Sequence, residues 1–286
     1  MVSSLWPSDD NEVAAWGEGL VRLVGRFLPK KVQVVEGTAF EQWPLVGPAY
    51  IAKASGTLET MFMLFEARRT LDATLLLRNL YENLLVFSWI AMVPEANLPR
   101  WIKSVCREAI KTDDDWRRIG MGLLDEPNRD YAEARANDEL VKCAPDRAQM
   151  AEAIDRCWDR TYPGHPQITG QDRDFLTFRG LYRHVYRFGS DAAHQNPRSL
   201  RAFYTNDGTG FTSVHREKHD EYYLYPWLFA AHATTLGLAI ASSVLGWPSA
   251  KDVWCAGIMW VERPYRTPSR KALVRCDLLT ASSACQ

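Results

Sequence analysis

The residues best suited to chemistry in this chain lie in one short stretch, between positions 182 and 194. Arg187 and His194 are seven residues apart, which on an α-helix is only about 20° short of two full turns. Asp191 follows about 40° from Arg187 on the same side of such a helix. A base-capable imidazole, a fixed cation and a carboxylate would therefore share one stripe. This arrangement is typical of a site that handles phosphate or cleaves RNA.

Each side chain of the stripe has a role that fits this hypothesis. His194 is a candidate general base or acid, because the unperturbed pKa of imidazole lies near neutrality. The forked guanidinium of Arg187 is suited to stabilise charge on a phosphorane-like transition state. Asp191 would orient the imidazole, and Ser190 would donate a hydrogen bond to a phosphate oxygen. A competing interpretation needs no chemistry: Arg187 and Asp191 form a surface ion pair, and His194 lies near the last helix carbonyls.

A second polar pair lies in a strongly apolar segment. Arg78 and Glu82 are four residues apart on a predicted helix that consists otherwise mostly of leucine. Apolar neighbours limit the access of water to these charges. One hypothesis is a structural ion pair that fixes the register of the helix. The other is that the pair orients groups on the helix that carries the stripe, with Tyr186 as a further supporting residue.

Other common chemistries lack their sequence signatures. The glycine-rich phosphate loops are absent, and so is the Gly-x-Ser-x-Gly elbow of serine hydrolases. The six cysteines include no Cys-x-x-Cys pair, which argues against structural zinc. His215 and His219 lie four residues apart, but no inward apolar frame accompanies them. We therefore expect neither a bound metal nor a cofactor.

Composition and charge limit the class of protein. The chain has 286 residues, of which 47% are hydrophobic, so it can bury a substantial core and is not generally disordered. The formal net charge of -1 gives no overall signal for polyanion binding, so any contact with nucleic acid must be local. We recognise no signal peptide, and cysteines without a pairing pattern suit a reducing compartment. We expect a cytoplasmic protein.

Hydrophobic periodicity predicts a mostly α-helical bundle. A first helix would run to about Phe27, and residues 29–48, which include three prolines, would form a loop with a little extended structure. Turn signals predict a small β-hairpin insertion at 200–215. The chain would thus divide into an N-terminal helix and loop (1–47), a helical bundle domain (48–248) and a partly flexible C-terminal extension (249–286). Further helices are predicted at about 49–67, 71–93, 97–124, 130–142, 146–160, 172–193 and 221–245.

Two apolar runs raise the question of a membrane. The run from Leu224 to Pro248 has no charged residue and is long enough to span a bilayer. It is, however, rich in alanine and contains a proline, a histidine and several hydroxyl residues. The helix predicted at 71–93 carries three charged residues, which are costly in lipid. We favour buried bundle helices without stable membrane insertion, so a membrane-associated protein is the weakest of three hypotheses.

Two of the predicted helices together resemble a known family. The first carries Leu77-Arg78-Asn79-Leu80-Tyr81-Glu82, and the second carries Tyr186, Ser190 and His194 at Tyr-x-x-x-Ser-x-x-x-His spacing. This pairing resembles a bacterial all-helical family of unknown function. The Arg187-x6-His194 spacing is also similar to the motif of the HEPN superfamily (higher eukaryotes and prokaryotes nucleotide-binding), which has four to six residues between the arginine and the histidine. The resemblance covers about residues 48–245.

The HEPN resemblance implies a function as well as a fold. Many members are metal-independent RNases of toxin–antitoxin and antiviral defence systems, and they act as dimers that pair two motifs across a helical interface. The resemblance thus implies a homodimer that takes RNA as substrate, with Arg187 and His194 as the catalytic pair. One departure favours a rival hypothesis, because Phe188 stands where active members carry a polar residue. In that alternative the chain is a non-catalytic module that binds a nucleotide, an RNA or a partner protein.

Overall fold

The computed structural model describes residues 43–67, 69–157 and 177–193 of the chain. It also describes Gly208, two short strands and part of two further helical segments, at 18–25 and 230–240. The described part is mostly α, as predicted. Its six bounded helices are α1 (Trp43–Glu66), α2 (Thr70–Met92), α3 (Pro94–Arg117), α4 (Glu126–Ala136), α5 (Arg147–Arg156) and α6 (Phe178–Ala193).

Helix α1 begins earlier than predicted. The prolines at positions 44 and 48 predict a loop as far as residue 48, but the helix already begins at Trp43. Pro44 lies in the first turn, where the amide of a helix has no partner to lose. Pro48 lies inside the helix and removes one amide donor from its early turns. The complete burial of Leu58 and other apolar side chains of α1 offsets that loss.

Helix α3 ends at Arg117, well before the predicted limit at residue 124, because the chain turns there. Gly120 has a φ of 84°, a left-handed conformation that glycine adopts without strain and that commonly ends a helix. After the turn, the chain returns to α3, where the buried carboxylate of Asp113 accepts hydrogen bonds from the amides of Leu123 and Leu124 at 2.7 and 2.9 Å. The predicted boundary was wrong because a side chain of the helix itself binds the segment that follows it.

Asp113 also ties α4 to α3. Its second carboxylate oxygen accepts from Nε of Arg117 at 2.6 Å and from Arg129 on α4 at 2.5 Å. The hydrogen bond from Arg117 is the largest of several that hold the pKa of the Asp113 carboxyl well below its usual range. Both oxygens are bonded to donors, which is the condition for keeping a buried carboxylate charged. The α3–α4 hairpin is therefore fixed at its turn.

Helices α4 and α5 both begin at an aspartate cap. Asp125 accepts from the amide of Asn128 at 3.0 Å, and this cap starts α4 at Glu126 rather than at the predicted residue 130. Asp146 and Gln149 form a reciprocal capping box at the start of α5, close to its predicted start. The caps satisfy amides that the first helical turn leaves without partners.

Helix α2 is the centre of the bundle. It packs against α1, α3, α5 and α6, and every residue from 83 to 91 is buried. This all-round burial explains why the segment is apolar on every side and not on one stripe. The described residues of the 230–240 segment are also buried, and a Cβ at Gly237 would lie 2.6 Å from Cδ2 of Leu84 on α2. That segment therefore packs closely against the central helix.

Two three-residue strands follow α6. Tyr204–Asn206 and Thr212–Val214 pair antiparallel, in the segment where the turn signals predict a hairpin. No helix in the described part of the chain, α2 included, is both long enough and apolar enough to cross a bilayer. Most of the run from 224 to 248 lies outside the described residues, and the predicted domain limits stay predictions.

Candidate functional site

The predicted stripe lies on the last turns of α6. The backbone is helical through Ala193, but the side chains of Arg187, Ser190 and Asp191 lie outside the described residues, as does the whole of His194. Their catalytic roles therefore stay predictions. Helices α2 and α6 bring together the three supporting residues predicted with them: Arg78, Glu82 and Tyr186.

Arg78 joins these two helices. Its Nε donates to Oε1 of Glu82 at 3.0 Å, and its guanidinium carbon lies 4.4 Å from the ring centroid of Tyr186 on α6. Both charged side chains are 27% exposed, so water screens the interactions only in part. The hydrogen bond to Glu82 raises the pKa of Arg78, which stays a cation. The ion pair that the spacing predicts is present, and it also contacts the helix that carries the stripe.

A row of three tyrosines lies between α2 and α6. Tyr182 and Tyr186 stack with their ring centroids 5.0 Å apart, and Tyr81 of α2 lies 6.4 Å from Tyr182. The hydroxyl of Tyr81 donates to the carbonyl oxygen of Phe178 at 2.7 Å. Tyr81 is completely buried, and this burial raises the pKa of its hydroxyl well above the usual range, so the group stays a donor. The three rings fix both the rotation of α6 about its axis and its position along α2.

Helix α6 has a buried face and a basic face. Phe178, Leu181 and Val185 are completely buried, whereas Arg179 and Arg183 are exposed. At 100° per residue, positions 179, 183, 187 and 190 fall within about 80° of one another, on the side away from the buried face. The helical register therefore continues a row of arginines from the start of α6 toward the predicted stripe.

A carboxylate from α5 holds the start of α6. Asp155 accepts hydrogen bonds from the amides of Phe178 and Arg179 at 3.0 and 2.8 Å, and Oγ1 of Thr177 accepts from the amide of Gly180 at 3.1 Å. Three amides that a helix start leaves free are thereby satisfied. Sequence reasoning missed this arrangement and extended the helix back to about residue 172. The available signal was Thr177, a favourable capping residue directly before an apolar position.

A cleft of about 360 Å³ opens beside this helix start. Three arginines line it, namely Arg156, Arg179 and Arg183, together with Glu152 and Asp155. Arg156 donates to Glu152 at 2.6 Å, and this hydrogen bond is the main reason that the pKa of Glu152 is lowered. The cleft thus contains three cations and two anions, and only Arg183 of these residues belongs to the stretch that sequence reasoning selected.

The described residues contain no group of three or more His, Cys, Asp and Glu side chains arranged to hold a metal ion. His215 and His219, the histidine pair noted in the sequence, lie outside the described residues. Cys106, Cys143 and Cys157 are free thiols. The chemistry of the described part of the site is therefore that of arginines, carboxylates and tyrosine hydroxyls.

Comparison with known proteins gives a family. No curated protein and no solved structure matches the chain. One family model does match, over residues 48–211, which is more than half of the chain. The matched segment includes α1 from residue 48 onward and the whole of α2 to α6, and so both helices that carry the candidate site. The chain belongs to the family of unknown function DUF5677.

Proposed function

We propose that this chain is a metal-independent RNase of defence or toxin type, built on a HEPN-like bundle with a small β-hairpin insertion. The observation that carries the proposal is the contact between Arg78 and Tyr186. A cation paired with Glu82 lies against the residue that directly precedes Arg187. An apolar helix that retains an ion pair at this point, in contact with the polar helix, fits the hypothesis that the pair orients a site.

The proposed reaction uses the RNA as its own nucleophile. The 2′-hydroxyl oxygen attacks the adjacent phosphorus and the bond to the 5′-oxygen breaks, which leaves a 2′,3′-cyclic phosphate and a 5′-hydroxyl. His194 takes the proton of the 2′-hydroxyl, and a second protonated imidazole, from another copy in a homodimer, gives a proton to the leaving oxygen. Arg187 stabilises the charge of the phosphorane and Ser190 donates to a phosphate oxygen, while Asp191 orients the imidazole.

The basic face of α6 also supports RNA as the partner. The net charge of the whole chain is -1, so attraction for a polyanion has to come from a local cluster. Arg179 and Arg183 are exposed on the side of α6 where the register puts position 187. A substrate phosphate at position 187 would therefore lie at the end of a row of cations.

A non-catalytic module is the second candidate function, and Phe188 favours it. In this alternative the same basic face binds an RNA, a nucleotide or a partner protein, and no bond is broken. A membrane-associated protein, the third hypothesis, gains no support from the helices of the described part.

Cleavage of RNA in the presence of EDTA tests the proposal. Purified chain is incubated with total RNA and with a tRNA pool, beside His194→Ala and Arg187→Ala. We expect the unmodified chain to cleave RNA to products with cyclic phosphate ends, and each variant to lose this activity while it keeps its circular dichroism spectrum. A substrate with 2′-deoxy residues should stay intact, since it lacks the attacking hydroxyl.

Two matched variants control for the loss of a histidine or an arginine as such. His184→Ala removes the other histidine of the same stretch, and Arg118→Ala removes an exposed arginine at the far end of α3. Both should cleave RNA like the unmodified chain. Cleavage that survives in His194→Ala and Arg187→Ala would overturn the RNase proposal. Absence of any cleavage, with RNA binding weakened in those two variants, would support the module.

A further inference from the structure

We propose that the cleft at the start of α6 binds a phosphate of a single-stranded RNA whose following phosphates run along the basic face toward Arg187. The inference rests on the proposed function, in which RNA is the substrate and Arg187 contacts the phosphate that is cleaved. The residues that line the cleft are Glu152, Asp155, Arg156, Thr177, Arg179, Gly180 and Arg183.

The charges in the cleft favour an anion. The carboxylate of Asp155 is engaged by two backbone amides at the start of α6, and Glu152 is bonded to Arg156. Arg179 and Arg183 add two more guanidinium groups, one helical turn apart. With three arginines against two carboxylates, the lining has a surplus of one positive charge. Arginine is also the side chain whose forked donors fit phosphate oxygens.

The shape of the basic face favours a strand over a compact ligand. Four helical residues rise about 6 Å, so positions 179, 183 and 187 follow one another at about 6 Å intervals, or about 12 Å in all. A row of cations of this kind tracks the backbone of a single strand. Arg156, from α5, also lines the cleft and adds a cation from a second helix.

The lining of the cleft also indicates what it does not recognise. Its described lining residues include no aromatic ring, and stacking of a base on the guanidinium plane of an arginine does not depend on sequence. Binding through phosphate alone carries no sequence information. We therefore infer a site that positions RNA of any sequence, with selectivity left to the region near Arg187.

Binding is measured by fluorescence anisotropy with a labelled single-stranded RNA of about twelve nucleotides, a length within the range of single-strand sites. The host is full-length His194→Ala, so that turnover cannot consume the probe. The test variant adds Arg179→Gln and Arg183→Gln, both at exposed positions. A matched control adds Arg69→Gln and Arg118→Gln, which change the net charge equally at exposed sites elsewhere.

We expect the test variant to bind RNA roughly tenfold more weakly than the control variant. The slope of log K against log salt should fall in magnitude by about 1.4, since each phosphate contact of a single strand contributes about 0.7. The control variant should keep the affinity and slope of the host. Circular dichroism and thermal melting of both variants show whether a loss of binding reflects a loss of fold.

The outcomes separate this inference from the proposed function. Equal affinity and equal salt slope in the test and control variants would overturn the phosphate site, even where cleavage that depends on His194 is found. Weakened binding without any cleavage by the unmodified chain would keep the site and remove the RNase. Displacement of the RNA by adenosine monophosphate at a similar phosphate concentration would assign the cleft to a free nucleotide and overturn the RNA path.

Discussion

The guanidinium of Arg78 lies 4.4 Å from the ring centroid of Tyr186, so a charged side chain of the central helix is packed against the polar helix of the candidate site. The same guanidinium is bonded to Glu82, and the ring of Tyr186 stacks on that of Tyr182. This chain of contacts fixes one side of α6 to α2 immediately before the turn of Arg187. A substitution in α2 that breaks these contacts would therefore shift the part of α6 that carries the predicted catalytic stripe.

A double-mutant cycle should detect the interaction between Arg78 and Tyr186. Arg78→Met, Tyr186→Leu and the double variant are compared by urea unfolding, and we expect a coupling free energy of about 0.5–1 kcal/mol, because the pair is only partly exposed. Arg135 and Tyr131 form the control pair at 5.4 Å on the surface of α4, where a smaller coupling is expected. Coupling no larger than in the control pair would mean that Arg78 does not hold α6.

Tyr81→Phe should loosen the start of α6. The change removes the hydroxyl that donates to the Phe178 carbonyl at 2.7 Å, and we expect a loss of about 1 kcal/mol in the free energy of unfolding, the usual contribution of such a bond. Tyr131→Phe, on an exposed ring, serves as the control and should change stability little. Chemical denaturation of both variants measures the difference. Equal stability of the two would show that the hydroxyl of Tyr81 contributes nothing to anchoring α6.

Asp113→Asn should lower the melting temperature at neutral pH and should make stability less dependent on acid pH. The folded carboxyl has a depressed pKa, mainly because Arg117 donates to it, whereas an unfolded aspartate titrates at about 3.9. The stabilisation is therefore present above about pH 4 and declines as the pH falls from there toward the folded pKa. The gap in Tm between the two proteins should narrow from about pH 7 to about pH 3.5.

The control for Asp113 is Asp115→Asn, two residues away on the same helix. Asp115 is 56% exposed and forms a surface ion pair with Arg118, so its replacement should have little effect on Tm at either pH. If the Asp113 and Asp115 variants melt alike at neutral pH, the clamp between α3 and α4 is not a stabilising feature.

Sequence patterns predicted the elements of this fold better than their limits. The leucine-rich segment predicted at 71–93 is helical from 70 to 92, because burial on all sides leaves a continuous apolar signal. Two of the limits that were wrong depend on contacts between residues that are farther apart in the sequence, such as the contact between Asp113 and Leu123 just beyond the end of α3. The start of α6 depends in the same way on Asp155, which lies 23 residues earlier in the chain.

Within the described part of the candidate site, one pair could be predicted from local spacing. Four-residue spacing alone was enough to pair Arg78 with Glu82. Nothing in the local sequence links Tyr81 to Phe178, 97 residues away, or brings Arg156 beside Arg179. The cleft was therefore missed, because it exists only where the end of α5 and the start of α6 pack together.

Gly237→Ala should destabilise the chain, although alanine is the better helix former. A Cβ at this position would lie 2.6 Å from Cδ2 of Leu84, which is buried in the central helix and has to move. We expect a loss of about 1–2 kcal/mol from this overpacking, after the gain of up to about 1 kcal/mol in helix propensity. Gly56→Ala is the matched control, because a Cβ there meets nothing within 4 Å, and this variant should be slightly stabilised.

The effect of Gly237→Ala should reverse when Leu84 is made small. Leu84→Ala alone should cost about 2–5 kcal/mol, as a buried leucine does. In that background the new methyl group enters vacated space, so Gly237→Ala should be neutral or stabilising when unfolding is measured in urea. An unchanged penalty in both backgrounds would show that the segment near 237 does not pack on α2 in this way. A reversal would place this segment in the same cooperative unit as α2, beyond the end of the family match at residue 211.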